Sequence, residues 1–151
     1  MSDPIEKIKN EHEDIERELL ELETVMEFSQ INYSNLVHVL KKLTNLWEKH
    51  ESKEEEFIFP LLERKNNFKM PVEKFGFEHK ELKPHRESIV QAINSGNEEK
   101  VKIKLKEDGK EIIKKLREHI ESEDEILYTL SSEELFSEEE INYINKKLSY
   151  F

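Results

Sequence analysis

The sequence predicts an all-α protein, an up-down-up-down four-helix bundle with a short C-terminal fifth helix. The 151 residues include only 3 Gly and 4 Pro, a composition that suits helices joined by short turns. Apolar residues recur three and four positions apart in four long segments, whereas no segment alternates as a β-strand would. The length fits one domain, residues 1–151, with the bundle over about 4–130 and the terminal helix over about 137–149.

The first helix is predicted to begin at "SDP", with Ser2 or Asp3 as its N-cap and Pro4 in its first turn. The apolar face of this helix consists of Ile5, Ile8, Ile15, Leu19, Leu22 and Met26. One polar residue, His12, lies within that row. The segment "FSQINYSN" is predicted to form the first turn of the bundle.

The second helix is predicted over about 35–65. Its apolar row consists of Leu36, Leu40, Leu43 and Trp47, and then of Phe57 and Leu61 after an interruption. The interruption falls on His50 and Glu54, which occupy the two intervening places. Because a buried imidazole or carboxylate is costly without a partner, this pair of residues needs an explanation.

The remaining chain is predicted to form a loop, two more long helices and a terminal helix. The loop is "NNFKMPVEKFG", because Asn, Pro and Gly interrupt helices. The row of the third helix is Phe75, His79, Leu82, Ile89 and Ile93, and Gly96 in "NSGNEE" is its predicted stop. The row of the fourth helix is Val101, Leu105, Ile112, Leu116, His119, Glu123, either Ile126 or Leu127, and Leu130.

Two further expectations concern the second half of the chain. Gly109 lies in the row of the fourth helix, where it should weaken the helix locally and let a neighbour approach closely. The segment "SSEELFSEEEINYINKKL" begins with Ser caps, and the helix after Ser137 is expected to cover one end of the bundle or to pack on a second copy.

Charge and composition exclude several classes of function. The net charge of -11 argues against nucleic acid or an anionic membrane as a partner. The chain has no cysteine, which leaves histidine and carboxylate as the strong metal ligands. No segment approaches the roughly 20 apolar residues of a membrane span, and "MSDPIEKIKN" lacks a signal peptide core, so we expect a cytoplasmic protein. No Ser-His-Asp arrangement, P-loop or dinucleotide fingerprint is present.

An internal repeat relates the two halves of the bundle. The segment "HESKEEEFIFPL" from His50 aligns without gaps to "HIESEDEILYTL" from His119, and "HEDIE" from His12 aligns to "HKELK" from His79. Each predicted turn lies near the midpoint between the two histidines of its hairpin. Residues equidistant from a turn lie at the same height in an antiparallel hairpin, so all four histidines are expected at one depth of the bundle.

Six polar residues in the rows are candidate metal ligands: His12, His50, Glu54, His79, His119 and Glu123. A single core histidine is more often only hydrogen-bonded, and a single Glu is more often exposed. Four histidines at matched heights, with two acids at the same i+4 offset, favour one shared site. Two cations would compensate the buried acids if each carboxylate bridged both ions and each ion bound two imidazoles. This ligand set suits iron, manganese or zinc.

The same pattern, H…H-x-x-x-E…H…H-x-x-x-E with "EEEFIFPLLE" after the second histidine, resembles the hemerythrin-like, HHE cation-binding domain. The resemblance covers about residues 4–130. It implies a non-haem di-iron centre with an oxo or hydroxo bridge, and members bind dioxygen, sense oxygen or iron, or act on peroxide or nitric oxide. It also implies a ligand set: His12 and His50 on one iron, His79 and His119 on the other, and Glu54 and Glu123 as bridges.

One position departs from the family pattern. Where the third helix would carry H-x-x-x-H, this chain has Lys83 in the second place, so one iron is short of a nitrogen. Glu51 matches an extra acid of some iron-sensing members and is included in the predicted ligand set, although the repeat has Ile120 at that point. Alternatively, Lys83 leaves an open position where a small ligand binds.

His85 and Asp124 are also possible ligands. His85 follows Pro84 and is expected at the surface or near the site, and Asp124 competes with Glu123, which symmetry favours. His38 lies off the row and is expected to be exposed. The aromatic residues expected to surround the site are Trp47, Phe57, Phe59 and Tyr128.

Three functions follow from these observations, and whether the protein is an enzyme stays open. The first is a di-iron protein that binds dioxygen or senses oxygen or iron, with dioxygen or another small diatomic or peroxide as its ligand. The second is a di-iron enzyme that reduces peroxide or nitric oxide. The third is a metal-free helical interaction domain. A single domain without an output module would signal through a separate partner chain, and a homodimer is also open.

Overall fold

The computed structural model describes residues 3–28 and 30–150 and contains no β-strand among them. Four long helical segments pack as the predicted bundle. The first is α1 (Pro4–Glu27), and the second consists of α2 (Tyr33–Lys53), a π-helical turn (Glu54–Ile58) and α3 (Phe59–Glu63). The third is α4 (Lys69–Asn94), and the fourth consists of α5 (Glu98–Lys104), a second π-helical turn (Leu105–Gly109) and α6 (Lys110–Ile126). The short helices α7 (Ser132–Leu135) and α8 (Glu138–Leu148) follow.

Capping residues fix several helix ends where the sequence predicts them. The Asp3 carboxylate accepts a hydrogen bond from the backbone N–H of Ile5 at 2.9 Å, so Asp3 caps α1. The other predicted cap, Ser2, lies outside the described residues. After α4, Gly96 has φ +68° and donates its N–H to the carbonyl of Ile93 at 3.1 Å. This left-handed conformation favours glycine, which is why the helix ends there.

The third segment begins earlier than predicted. Helix α4 starts at Lys69, so the expectation of a loop throughout "NNFKMPVEKFG" is wrong. Pro71 lies in the first turn, where a backbone N–H would have no partner within the helix, so its missing donor costs no helical hydrogen bond. Gly76 lies within the helix and does not interrupt it.

The π turn at Glu54–Ile58 shifts the apolar row of the second segment. In a π turn the backbone N–H bonds to the carbonyl five residues earlier, so the turn contains one extra residue. As a result Ile58 and Leu62 are fully buried, whereas Phe57 and Leu61 are only partly buried. The predicted continuation of the row through Phe57 and Leu61 is therefore wrong by one residue.

The fourth segment approaches α1 closely at Gly109, as expected. A Cβ atom added there would lie 2.9 Å from Cε of Met26, so glycine lets the two helices meet. Further along, Leu127 is buried and Ile126 is 40% exposed, which decides between the two predicted core residues.

Two apolar clusters form the core, and the layer that contains the four histidines lies between them. One cluster includes Leu19, Leu40, Trp47, Leu82 and Leu116, towards the hairpin turns. The other includes Ile5, Phe75, Leu127, Ile144 and Leu148. Because two of these come from α8, the terminal helix covers one end of its own bundle. Within the described ranges, no helix has the length and apolar composition required to cross a membrane.

Candidate metal centre

The four histidines meet at one depth of the bundle, in the layer between the two apolar clusters. His12 and His50 lie with their Nε2 atoms 2.8 Å apart. The ring centroids of His79 and His119 are 4.8 Å apart. Each of these residues is at most 4% exposed. The matched spacings in the sequence are thus matched heights in the structure.

The two buried glutamates lie between these imidazoles. Oε1 of Glu54 is 3.1 Å from Nε2 of His50 and 3.4 Å from Nε2 of His79. Oε1 of Glu123 is 3.1 Å from Nε2 of His119 and 3.4 Å from Nε2 of His12. Each carboxylate therefore contacts one imidazole of its own segment and one from the other hairpin, which is the arrangement a bridging ligand requires.

The six residues form two overlapping groups of potential ligands. In each group, one donor atom per residue lies within 4.8 Å of all the others. The groups are His12, His50, Glu54 and Glu123, and Glu54, His79, His119 and Glu123. The two carboxylates are common to both groups, so two cations held here would be adjacent and bridged.

The carboxylate oxygens show that a cation pair fits this centre. Both Glu123 oxygens and Oε1 of Glu54 are buried without a hydrogen-bond partner among the described residues. A buried anionic oxygen without a partner is costly, whereas coordination to a metal ion satisfies it. Imidazole nitrogen together with carboxylate oxygen is a donor set suited to iron, manganese and zinc.

Four outer acids hold the other nitrogen of every imidazole. The Nδ1-to-carboxylate distances are 2.7 Å for His12 and Asp124, 3.0 Å for His50 and Glu11, 3.1 Å for His79 and Glu55, and 3.0 Å for His119 and Glu78. An acid at Nδ1 keeps the proton on that nitrogen and leaves Nε2 free to bind a metal. All four imidazoles are thus oriented with Nε2 towards the centre.

These outer acids also follow the internal repeat. Glu11 and Glu78 each precede the first histidine of a hairpin, and Glu55 and Asp124 each follow a buried glutamate. Asp124 was predicted only as a metal ligand, and the other three were not predicted at all. Glu55 and Asp124 lie inside the aligned segments, and extending the other two segments by one residue reveals Glu11 and Glu78. In the structure Asp124 belongs to neither potential ligand group and instead contacts His12.

Glu51 is buried, but it faces a different partner. Its Oε2 accepts hydrogen bonds from Nη1 of Arg86 at 2.9 Å and from Nε1 of Trp47 at 3.1 Å. It belongs to neither of the two central groups and lies in a third one with Glu55 and His79. The role of Glu51 as a metal ligand therefore stays a prediction, for which Arg86 is a competing partner.

Three more residues, His85, Lys83 and His38, lie outside the potential ligand groups found among the described residues. His85 is partly buried and belongs to none of them. Lys83 is exposed and lines a surface cavity of about 450 Å³ together with Arg86. His38 is exposed, as expected.

Neighbouring acids raise the pKa of all four imidazoles. Burial acts to lower the pKa of His50, but the nearby charge of Glu54 and the hydrogen bond to Glu11 raise it to about 10. The same balance of burial and neighbouring acids raises the pKa of His79 and of His119 to about 10. Burial would raise the pKa of Glu54, yet His50 holds it well below the usual range.

Two aromatic rings close the centre, one from each hairpin. Phe59 stacks on His79 with ring centroids 5.4 Å apart, and the Tyr128 ring lies 5.6 Å from that of His12. The Tyr128 hydroxyl donates a hydrogen bond to Oε2 of Glu54 at 2.6 Å. Burial, together with the nearby acids, raises the pKa of Tyr128 well above its usual range, so the hydroxyl keeps its proton. Phe57 was expected with these rings but is only partly buried.

Comparison with known proteins adds one finding. A family model described as "Hemerythrin HHE cation binding domain" matches residues 3–131. The matched range contains the four histidines, both central glutamates and all four outer acids. A search of curated proteins found no match, and a search of solved structures found none either.

Proposed function

Because the chain belongs to the hemerythrin HHE cation-binding domain family, we propose that it holds two iron ions and binds dioxygen or senses oxygen or iron. The ions would occupy the two central groups, with His12 and His50 on one, His79 and His119 on the other, and Glu54 and Glu123 bridging. Family membership supports cation binding, whereas iron and the small ligand belong to the proposal.

One observation carries the proposal: three carboxylate oxygens are buried and unpartnered between four imidazole nitrogens directed at them. Protons on the imidazoles could neutralise the charges, but in this geometry none of the contacts that the described residues make to these oxygens is a hydrogen bond. Two bridged cations satisfy all of them at once. The outer acids support this arrangement, since they hold each ring in the orientation that metal binding needs.

Iron is preferred over zinc because reversible reaction with dioxygen needs a redox-active ion, and bound iron supplies that chemistry. The protein contributes two nitrogens and two carboxylate groups to each ion, which leaves room for a small ligand on an octahedral ion. The rings of Phe59 and Tyr128 and the apolar clusters exclude bulk water from that ligand. Glu51 could complete the coordination shell of one ion, but its carboxylate would first have to break its hydrogen bond with Arg86.

A second function is favoured by Tyr128. Its hydroxyl is fully buried and donates a 2.6 Å hydrogen bond to a central carboxylate. A hydrogen-bond donor at the centre could stabilise the negative charge that develops on peroxide or nitric oxide during reduction. The second candidate is therefore an enzyme that reduces one of these ligands.

Metal analysis of the protein purified from its host tests the proposal. We expect about two iron ions per chain, by family analogy, together with a visible absorption spectrum. The variant His79→Ala should lose iron, whereas His38→Ala, which changes an exposed histidine, should retain it. Protein that folds but contains no metal would instead support the metal-free interaction domain.

Mixing the reduced protein with dioxygen separates the two candidate functions. A visible band that is stable in the presence of dioxygen, and that disappears when dioxygen is removed under vacuum, indicates reversible binding. A band that decays rapidly, with peroxide or nitric oxide consumed over many turnovers, indicates an enzyme.

A further inference from the structure

The two hairpins place an aromatic ring at the same point relative to the centre. The backbone N–H of Phe59 donates to the carbonyl of Glu54, and the N–H of Tyr128 donates to the carbonyl of Glu123. Both bonds span five residues, and the wider turn directs the fifth side chain back towards the centre. This hydrogen bond is thus alike in the two hairpins, although the second segment continues as α3 whereas α6 ends at Ile126.

Only one of these rings carries a hydroxyl. Tyr128 donates to Oε2 of Glu54 at 2.6 Å. Phe59, at the equivalent point, has no donor to offer to Glu123, and both oxygens of Glu123 lack a hydrogen-bond partner within the part of the chain that the structure describes. The two bridging carboxylates are therefore unequal even though the six central residues obey the repeat.

The hydrogen bond that distinguishes the two carboxylates lies closer to one of the two metal positions. Oε1 of Glu54 lies near Nε2 of both His50 and His79. Its other oxygen, Oε2, accepts the hydrogen bond of Tyr128, whose ring lies beside that of His12. A carboxylate oxygen that accepts a short hydrogen bond donates less electron density to a metal.

From this asymmetry we infer that Tyr128 is a positioning residue that makes the two metal positions unequal, so that the His79–His119 position fills before the His12–His50 position. The inference rests on the proposed di-metal centre and adds an order of loading to it. Without the hydroxyl, the six central residues of the two positions would be alike, and the remaining difference near them would be the pair of Glu51 and Arg86.

Stepwise titration of the metal-free protein with Co²⁺ tests the inference. Calorimetry gives the two binding constants, and the visible bands of Co²⁺ report the occupation of each position. The wild type should bind two equivalents in separated steps. In Tyr128→Phe the ratio of the two constants should fall by about tenfold, the effect of one hydrogen bond to a charged group.

A swap of the two rings provides the matched control. The variant Phe59→Tyr with Tyr128→Phe moves the hydroxyl to the side of Glu123, so it should restore the separation of the steps. Far-UV circular dichroism and the thermal midpoint of the metal-free proteins check the fold. Should Tyr128→Phe fail to fold, Phe59→Tyr alone should reduce the separation, because both carboxylates would then accept a hydroxyl.

The outcomes distinguish this inference from the proposed function. If every protein binds two equivalents with the same separation of constants, the role of Tyr128 is wrong and the di-metal centre stands. If the folded wild type binds no Co²⁺, the proposed centre is wrong and the inference falls with it. If the separation of the two binding constants decreases in Tyr128→Phe and returns in the swapped protein, both the di-metal centre and the role of Tyr128 are supported.

Discussion

The two hairpins build the same inner and outer ring of ligands but surround them differently. On one side of the bundle, Glu51 of α2 is paired with Arg86 of α4, and Arg86 lies 5.3 Å above the ring of Trp47. The repeat aligns these three residues with Ile120, Leu19 and Leu116, which are all buried. One side of the bundle thus contains a buried ion pair where the other contains only aliphatic side chains.

This difference distinguishes the residues that the metal centre requires from those that the fold only tolerates. The acids that contact the imidazoles are repeated in both hairpins, whereas the ion pair next to them is not. A buried ion pair adds little stability over well-packed apolar residues of similar size. The apolar side shows that the bundle can be built without it, so the pair between Glu51 and Arg86 is not a requirement of the architecture.

The largest effect is expected from replacing the bridging glutamates, of which each hairpin contributes one. Glu54→Gln and Glu123→Gln should each abolish binding of a bridged pair of ions, because a neutral amide cannot bridge two cations. Metal content after loading and dialysis should fall below two ions per chain in both variants. Retention of both ions by either variant would show that the glutamate concerned is not a bridge.

The next prediction concerns the protonation of the histidines in both hairpins when no metal is bound. The pKa of His50 in one hairpin, and of His79 and His119 in the other, is raised from 6.5 to about 10 in the folded chain. A raised pKa stabilises the fold fully below about pH 6.5, and this stability is lost as the pH rises through about 10. The lowered pKa of Glu54 has the opposite sign, so its contribution is lost on acidification below about 4.5.

Denaturant unfolding of the metal-free protein from pH 4 to pH 10 measures this dependence. Stability should be highest between about 4.5 and 6.5 and should fall towards about pH 10. Bound metal removes the protons, so the loaded protein should gain stability relative to the metal-free protein as the pH rises. A metal-free protein whose stability rises between pH 7 and 10 would contradict the protonation described here.

A smaller effect is expected from breaking the asymmetric ion pair. Arg86→Leu leaves the Glu51 carboxylate buried and without its cation, and should destabilise the metal-free protein by about 3 kcal/mol. The matched double variant, Glu51→Ile with Arg86→Leu, removes both charges and leaves only the Nε1–H of Trp47 without its acceptor, so it should unfold within about 2 kcal/mol of wild type. Urea unfolding measures both. A double variant as unstable as the single one would mean that the pair is needed for packing.

The smallest effect concerns the outer acids, which the repeat predicts to be equivalent. Glu55→Gln and Asp124→Asn each remove the charge next to one imidazole, and each should weaken metal binding about tenfold without preventing it. Glu56→Gln, at an exposed neighbouring position, is the control and should bind metal like wild type. Competition with a chelator measures the affinities. Unequal losses at Glu55 and Asp124 would show that the equivalence of the hairpins ends at the inner ligands.

The sequence was sufficient to predict the bundle and the meeting of the four histidines. Spacing of three and four residues assigns a helix face, and the equal distances of His12 and His50 from their turn assign their height. The wide turn after Glu54 was missed, because its extra residue breaks the 3.6-residue period on which the row of Phe57 depends. The pairing of Glu51 with Arg86 was also missed, since contacts between segments leave no periodic signal.

The exposure of the four outer acids has a consequence for charge balance. Their side chains are 43%, 24%, 48% and 27% exposed for Asp124, Glu11, Glu55 and Glu78. Each buried ring is thus one hydrogen bond away from a group that touches the solvent. The acids that orient the rings therefore keep part of their hydration, so their charges are tolerated without a cation, whereas Glu54 and Glu123 are fully buried and have no contact with solvent.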